Sequence, residues 1–133
     1  MHEISLKTDR KTQLVDITQQ VQSALGETNG ARAALVYVPH TTAGVTINEG
    51  ADPLVGLDLE SALQRVVDEN WEWKHVDDPD GPNAPSHVRA SLMSPQVLVP
   101  LRDGKLALGR YQGIFFCEFD GPRERKVYVT ALS

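Results

Sequence analysis

The chain has 133 residues, 41% hydrophobic and 23% charged, with 18 acidic against 13 basic residues for a net charge of −5. That describes one globular domain able to bury its own core, and the acidic balance without a basic run excludes a nucleic-acid footprint. A single cysteine, Cys117, excludes an internal disulfide and a cysteine-based zinc motif; with no apolar run near membrane length and no signal-peptide pattern at the N-terminus, a cytoplasmic protein is expected.

Residues 2–8 alternate Ile4 and Leu6 against Ser5 and Lys7, which predicts a strand, and residues 12–15 predict a short second one. Asp16, with Gln19 three positions on, reads as a capping box. Ile17, Val21, Ala24 and Leu25 then share one helical face, and Gly26 or Asn29-Gly30 stops the helix. Residues 31–38 are nearly continuously apolar and predict a central strand. From Gly44 the chain alternates again, Val45 and Ile47 against Thr46 and Asn48; carried backwards in the same phase, the polar side also receives Thr42 and His40. Asp52-Pro53 opens a helix over residues 53–69, with Val55, Leu59, Ala62, Leu63 and Val66 on its apolar stripe and Glu60 away from it.

Residues 70–87 show no usable period, yet hold Trp71, Trp73, His75, His87, three prolines and the acidic Asp77, Asp78 and Asp80. A loop this long is uncommon in a compact domain, and two large aromatics argue for an ordered functional loop. Residues 88–93 fit a strand or a helical turn. Residues 96–101 and 106–108 flank an Asp103-Gly104 hairpin turn, residues 111–119 alternate two largely apolar faces, and residues 126–132 form the last strand. Strands outnumber two separated helices, so the class is α+β with mostly antiparallel or mixed sheet.

Chemistry concentrates in few places. His40, at the head of the polar strand face, together with His75 and His87 of the long loop, has no local metal-motif spacing. Three imidazoles with an open position are nevertheless the layout of a catalytic zinc site. The alternative is three unrelated histidines, and His2 is assigned no role. Glu118 shares a strand side with Ile114 and Phe116, so a buried carboxylate needing a partner is expected. It could orient a histidine, act as a base, or simply pair with Arg110 or Arg123. Thr41, Thr42, Asn83 and Arg89 are candidates for holding a polar or anionic substrate, Arg89 facing with His87 if that segment is extended. The helix start at Asp52-Pro53 is a weaker anion site, since Asp52 itself competes for the free N–H groups.

His40-Thr41-Thr42-Ala43-Gly44 through Glu49, Asp52-Pro53, Asp58-Leu59, Asn83, His87 to Leu92, and Leu108-Gly109 through Glu118-Phe119-Asp120-Gly121-Pro122-Arg123 together resemble the YjbQ-like family, also called the secondary thiamine-phosphate synthase family. The resemblance covers nearly the whole chain. It implies a homotrimer and a histidine-lined pocket binding a metal, zinc above all, in which His40, His75 and His87 match the family's histidines. It also implies a weak thiamine-phosphate synthase activity that joins a pyrimidine pyrophosphate to a thiazole phosphate. Pro85 stands where members often carry a further histidine. The expected role is a small-metabolite enzyme. The alternatives are a non-catalytic trimeric protein that binds an anion or metabolite, and a metal-dependent hydrolase unrelated to thiamine.

Overall fold

The computed structural model describes residues 1–79 and 81–133; Asp80, one of the loop's acidic residues, lies outside the described residues. Among the described residues, eight strands and three helices follow in the order β1 (His2–Lys7), β2 (Gln13–Asp16), α1 (Thr18–Leu25), β3 (Ala33–Tyr37), β4 (Ala43–Glu49), α2 (Pro53–Val66), α3 (Ala84–Met93), β5 (Gln96–Arg102), β6 (Lys105–Leu106), β7 (Gln112–Glu118) and β8 (Glu124–Leu132). They form two antiparallel sheets, β1-β8-β3-β5-β6 and β2-β7-β4. The α+β class therefore stands as the alternation predicts, but the C-terminal strands form no meander: β5 and β6 pair as a hairpin, while β7 lies between β2 and β4 and β8 between β1 and β3.

The main core joins α1 to both sheets: Ile17, Val21, Val36, Val45, Val99, Ile114, Phe116, Val127 and Val129 are buried in one cluster. β7 is buried on its other side too, where Phe115, Cys117 and Phe119 meet Leu63 of α2 and Ala90 of α3. Such two-sided burial is why its sequence shows little polar alternation.

Three local expectations change. The capping box is not formed: Asp16 Oδ1 takes the Thr18 N–H at 2.9 Å from outside the helix, while Ile17 occupies the cap position without a side-chain bond. The apolar stripe of α2 is rotated, because Glu60 and Leu63 are buried and Val66 is exposed. Glu60 goes inward because Arg10 grips it with two hydrogen bonds (3.0 and 3.2 Å) and Leu14 donates its N–H at 2.8 Å, which satisfies the carboxylate and ties α2 to β2. Asp52 does cap α2, accepting from Leu54 N–H at 2.9 Å. The amide on which an anion site there depends is thus occupied.

The third change matters most for function. Residues 84–87 are not loop but the first turn of α3, with Pro85 in that turn, where its missing N–H costs nothing. α3 lies against β4 at Gly44, whose absent side chain would otherwise lie 2.8 Å from Ser94 O and 3.0 Å from Met93 Cβ. Val45 N–H donates to Ser94 O across the same contact. This close approach fixes the C-terminal end of α3 against β4, and the start of the helix faces the segment that joins β3 to β4 across a cavity.

Candidate functional site

Four segments converge there: residues 38–42 between β3 and β4, the start of α3, residues 119–123 between β7 and β8, and the first turn of β8. They enclose a cavity of about 650 Å³ lined by His40, Thr41, Thr42, Asp78, Asn83, His87, Asp120, Arg123 and Arg125, with Tyr37, Val38, Pro39 and Pro95 at its apolar side.

The polar row anticipated along β4 does not continue to His40, because β4 begins at Ala43 and residues 38–42 are irregular. His40 reaches the cavity by another route. Just past the last β3–β8 pair, Tyr37 with Tyr128, the Lys126 N–H donates to His40 Nε2 at 3.0 Å. The accepting nitrogen must be unprotonated, so the neutral ring carries its proton on Nδ1. Burial, then the positive charge of Arg125, holds the imidazole below its ordinary value of 6.5. A base with a depressed folded pKa takes up its proton first in the unfolded chain, so folding stability falls as pH drops below about 6.5 and levels off beneath the folded value. Urea titrations of wild type and His40→Gln between pH 8 and 5 are expected to show wild type losing ground to the variant on acidification.

Thr42 is buried, and its Oγ1 accepts from Arg125 Nη2 at 2.8 Å. Arg125 in turn holds Glu118: Nε donates to Oε1 at 2.9 Å, and Nη2 donates to Oε2. Glu118 is fully buried and also receives Thr8 Oγ1–H at 2.7 Å and the N–H groups of Phe119 and Asp120, both at 3.1 Å. Burial by itself would raise its pKa. The hydrogen bonds from Arg125 and Thr8 and the Arg125 charge outweigh that, keeping the carboxyl below its ordinary range. A carboxylate so stabilised and so fully bonded is a poor base and does not touch a histidine. Its partner is Arg125, rather than Arg110 or Arg123.

Arg125 itself, 3% exposed, is the residue the sequence reading missed. Nε and Nη2 make all its hydrogen bonds, so Nη1 is unbonded among the described residues. That nitrogen is also not among the fully enclosed unpaired atoms, so it is accessible, on a guanidinium that lines both this cavity and a neighbouring cleft beside Leu6, His40 and Lys126. A rigid guanidinium with the two N–H donors of one nitrogen left over can bind an oxyanion without reorganising.

His87, on the first turns of α3, lines the same cavity, and its ring nitrogens make no hydrogen bond among the described residues. His75 lies beyond it. The two rings meet edge to face with centroids 5.3 Å apart, and His75 Nε2 is 3.6 Å from Asp78 Oδ2. His75 lines a neighbouring cleft with Trp73 and His87 instead of the main cavity. Among the described residues no group of three His, Cys, Asp or Glu side chains is arranged to hold a metal ion. The three histidines as they stand do not fit a three-ligand zinc site, since His75 lines the neighbouring cleft and not the cavity that His40 and His87 share.

Asn83 caps no amide of α3 with its side chain; Nδ2 donates to Asp120 Oδ2 at 2.9 Å. Arg89 is not at the cavity. Two positions on a helix separate side chains by about 200° around the axis, so Arg89 faces away from His87 and is buried against α2, bonding Leu63 O, Gln64 O, Val67 O and Glu69. Trp71 and Trp73 pack edge to face at 5.5 Å, and Trp73 Nε1 donates to Asp68 O, which ties down the start of the loop. Cys117 is no nucleophile: burial first, and the charge of Glu60 second, push its thiol up to about 12.

Two antiparallel sheets and three helices, with a histidine- and arginine-lined cavity where the β3–β4 and β7–β8 connections meet α3, define a small α+β pocket protein. The chain belongs to the YjbQ-like family, UPF0047, whose family model matches residues 2–133. It is 43% identical over 128 residues to a UPF0047 protein of Methanocaldococcus jannaschii, covering 96% of this chain and 90% of that one. It is 42% identical over 131 residues to YugU of Bacillus subtilis, covering 97% and 96%. The crystal structure of a YjbQ/UPF0047-family protein from Clostridium acetobutylicum superposes with a TM-score of 0.90 at 44% identity, over 99% of this chain and all of that one. No described helix is long and apolar enough to cross a membrane.

Proposed function

We propose that the chain is a small-metabolite enzyme that holds a phosphorylated substrate in the His40–His87 cavity, with thiamine-phosphate formation, as the family resemblance implies, the reaction to try first. The unbonded Nη1 of buried Arg125 carries this reading, because it is a fixed, unpaired cationic donor on a side chain that lines the cavity. In a transfer that joins a pyrimidine pyrophosphate to a thiazole phosphate, negative charge develops on the departing pyrophosphate. The thiazole nitrogen would attack the pyrimidine methylene carbon as its C–O bond to pyrophosphate breaks; Arg125 Nη1–H, His40 Nδ1–H and the Thr41 hydroxyl would receive the charge, and His87 would donate a proton to the departing oxygen. Glu118 and Thr42 act only by holding Arg125.

The test is to incubate purified protein with both substrates and follow thiamine phosphate. Product from wild type that falls by roughly 100-fold or more in His87→Ala is expected, the scale of a lost acid–base group. Pyrophosphate binding by calorimetry without any product would instead favour the non-catalytic binding protein.

A divalent metal is a second reading, favoured by one observation. Two imidazoles on one tetrahedral zinc would set their centroids about 5 Å apart, given zinc–nitrogen bonds of ~2.0–2.1 Å, close to the His75–His87 separation of 5.3 Å. Metal analysis of purified protein and His87→Ala distinguishes it, and metal bound equally by both sinks it; the same set without thiamine substrates would serve a hydrolase.

We also infer a homotrimer. One face of the larger sheet leaves Tyr37, Leu98 and Leu132 exposed along a diagonal of β3, β5 and β8, an apolar face suited to a partner copy. Light scattering is expected to give three times 14.6 kDa for wild type and the mass of one chain for Leu98→Asp.

A further inference from the structure

The cavity that Arg125 lines carries a second unpaired charged atom, of opposite sign. The Asp120 side chain is only 11% exposed. Its Oδ2 accepts from Asn83 Nδ2 at 2.9 Å and from Arg123 Nη2 at 2.8 Å, while Oδ1 makes no hydrogen bond among the described residues. Only Asn83 Oδ1 is a fully enclosed side-chain oxygen or nitrogen without a partner among those residues, so the unpaired Asp120 Oδ1 is accessible, and the cavity is what Asp120 lines. Asn83 itself is 6% exposed, and its orphaned oxygen is an unmet acceptor one hydrogen bond from Asp120. Asn83 Oδ1 is enclosed and out of a ligand's reach, but buried polar groups are ordinarily satisfied, so the accessible Asp120 Oδ1 left unpaired at the cavity wall marks where a donor is missing.

We propose that the ligand is a phosphate ester that also carries a nitrogen donor, an amine or amidine-type N–H, with its phosphate on Arg125 Nη1 and its nitrogen on Asp120 Oδ1. This rests on the anion reading above and narrows it to a substrate class. A plain phosphate or a polyol phosphate leaves Asp120 unpaired; an anion without a donor would also meet the like charge of its carboxylate. A ligand with both groups satisfies the cavity's free donor and free acceptor together and discriminates against analogues that lack the nitrogen.

Calorimetry with ω-aminoalkyl phosphates of two to six carbons, each paired with the alkyl phosphate of the same length, tests this at pH 7. At the chain length that spans the site, the amine-bearing ligand is expected to bind wild type roughly 10-fold or more tightly, the scale of one charge-assisted hydrogen bond. In Asp120→Asn that preference is lost while alkyl phosphate binding is retained. Equal affinities within every pair in wild type overturn the proposal and leave the anion pocket standing; no binding by either series overturns both. The wild-type comparison decides the matter even where Asp120→Asn folds poorly.

Discussion

Replacing Arg125 with Met is expected to cost roughly 3–5 kcal/mol of folding stability, the scale of removing one partner from a buried ion pair. The loss of attraction is only part of the cause. Glu118 is fully buried, and without Arg125 it keeps only Thr8 and two backbone amides for a full negative charge. Domains of this size are stable by about 5–15 kcal/mol, so the variant stands near its folding threshold.

The pH dependence identifies the mechanism. In wild type the depressed Glu118 carboxyl contributes stability above its unfolded value near 4.5, which is lost as pH falls through the lower folded value. In Arg125→Met the burial effect, no longer opposed by the guanidinium, acts in the other direction and favours the protonated acid. The stability gap between the two proteins therefore narrows on acidification, and Glu118→Gln added to Arg125→Met restores part of the loss. Denaturant titrations at pH 7 and pH 5 read both effects; a gap that stays constant with pH would show that lost packing, not the stranded carboxylate, sets the cost.

The same pair marks what could be read in the sequence. Glu118 was legible as a buried carboxylate because Ile114 and Phe116 share its side of a strand that is apolar on both faces. Its partner was also legible, since Arg125 precedes Val127 and Val129 in period two and falls on their buried face. Starting the last strand at Lys126, where the structure starts it at Glu124, hid it in the turn. His40 lies at the cavity as its sequence position suggests, but through the Lys126 amide and not through a strand face, because the β3 ladder stops before it. Asp52-Pro53 named the start of α2 correctly because a cap is local chemistry. The inward turn of Glu60 depends on Arg10, fifty positions away, and no helical period records such a contact. For the same reason His75 and His87 look equivalent in the sequence, while folding sets one at the main cavity and the other behind it.

Arg89→Met is expected to cost a similar roughly 3–5 kcal/mol, for a different reason and with a different signature. Pro85 makes residues 84–87 look like loop, and in an extended segment Arg89 would stand beside His87. Helical geometry turns it away. Its Nε and Nη2 bond the carbonyls of Leu63, Gln64 and Val67 at 2.9, 3.2 and 2.8 Å, and its Nη1 bonds Glu69 at 2.7 Å. Those carbonyls belong to the last turn and exit of α2, which lack partners within the helix and where a cation is favoured by the helix dipole. At 1% exposure the guanidinium is thus the C-terminal cap of α2, supplied by α3. Met fills the space and leaves the carbonyls unpaired, so urea unfolding should shift to much lower denaturant. Because no atom of Arg89 lines the cavity, folded Arg89→Met should bind pyrophosphate as wild type does, whereas His87→Ala should keep its stability and lose turnover. Weaker anion binding by folded Arg89→Met, with stability intact, would return Arg89 to the substrate-binding role its sequence position suggests.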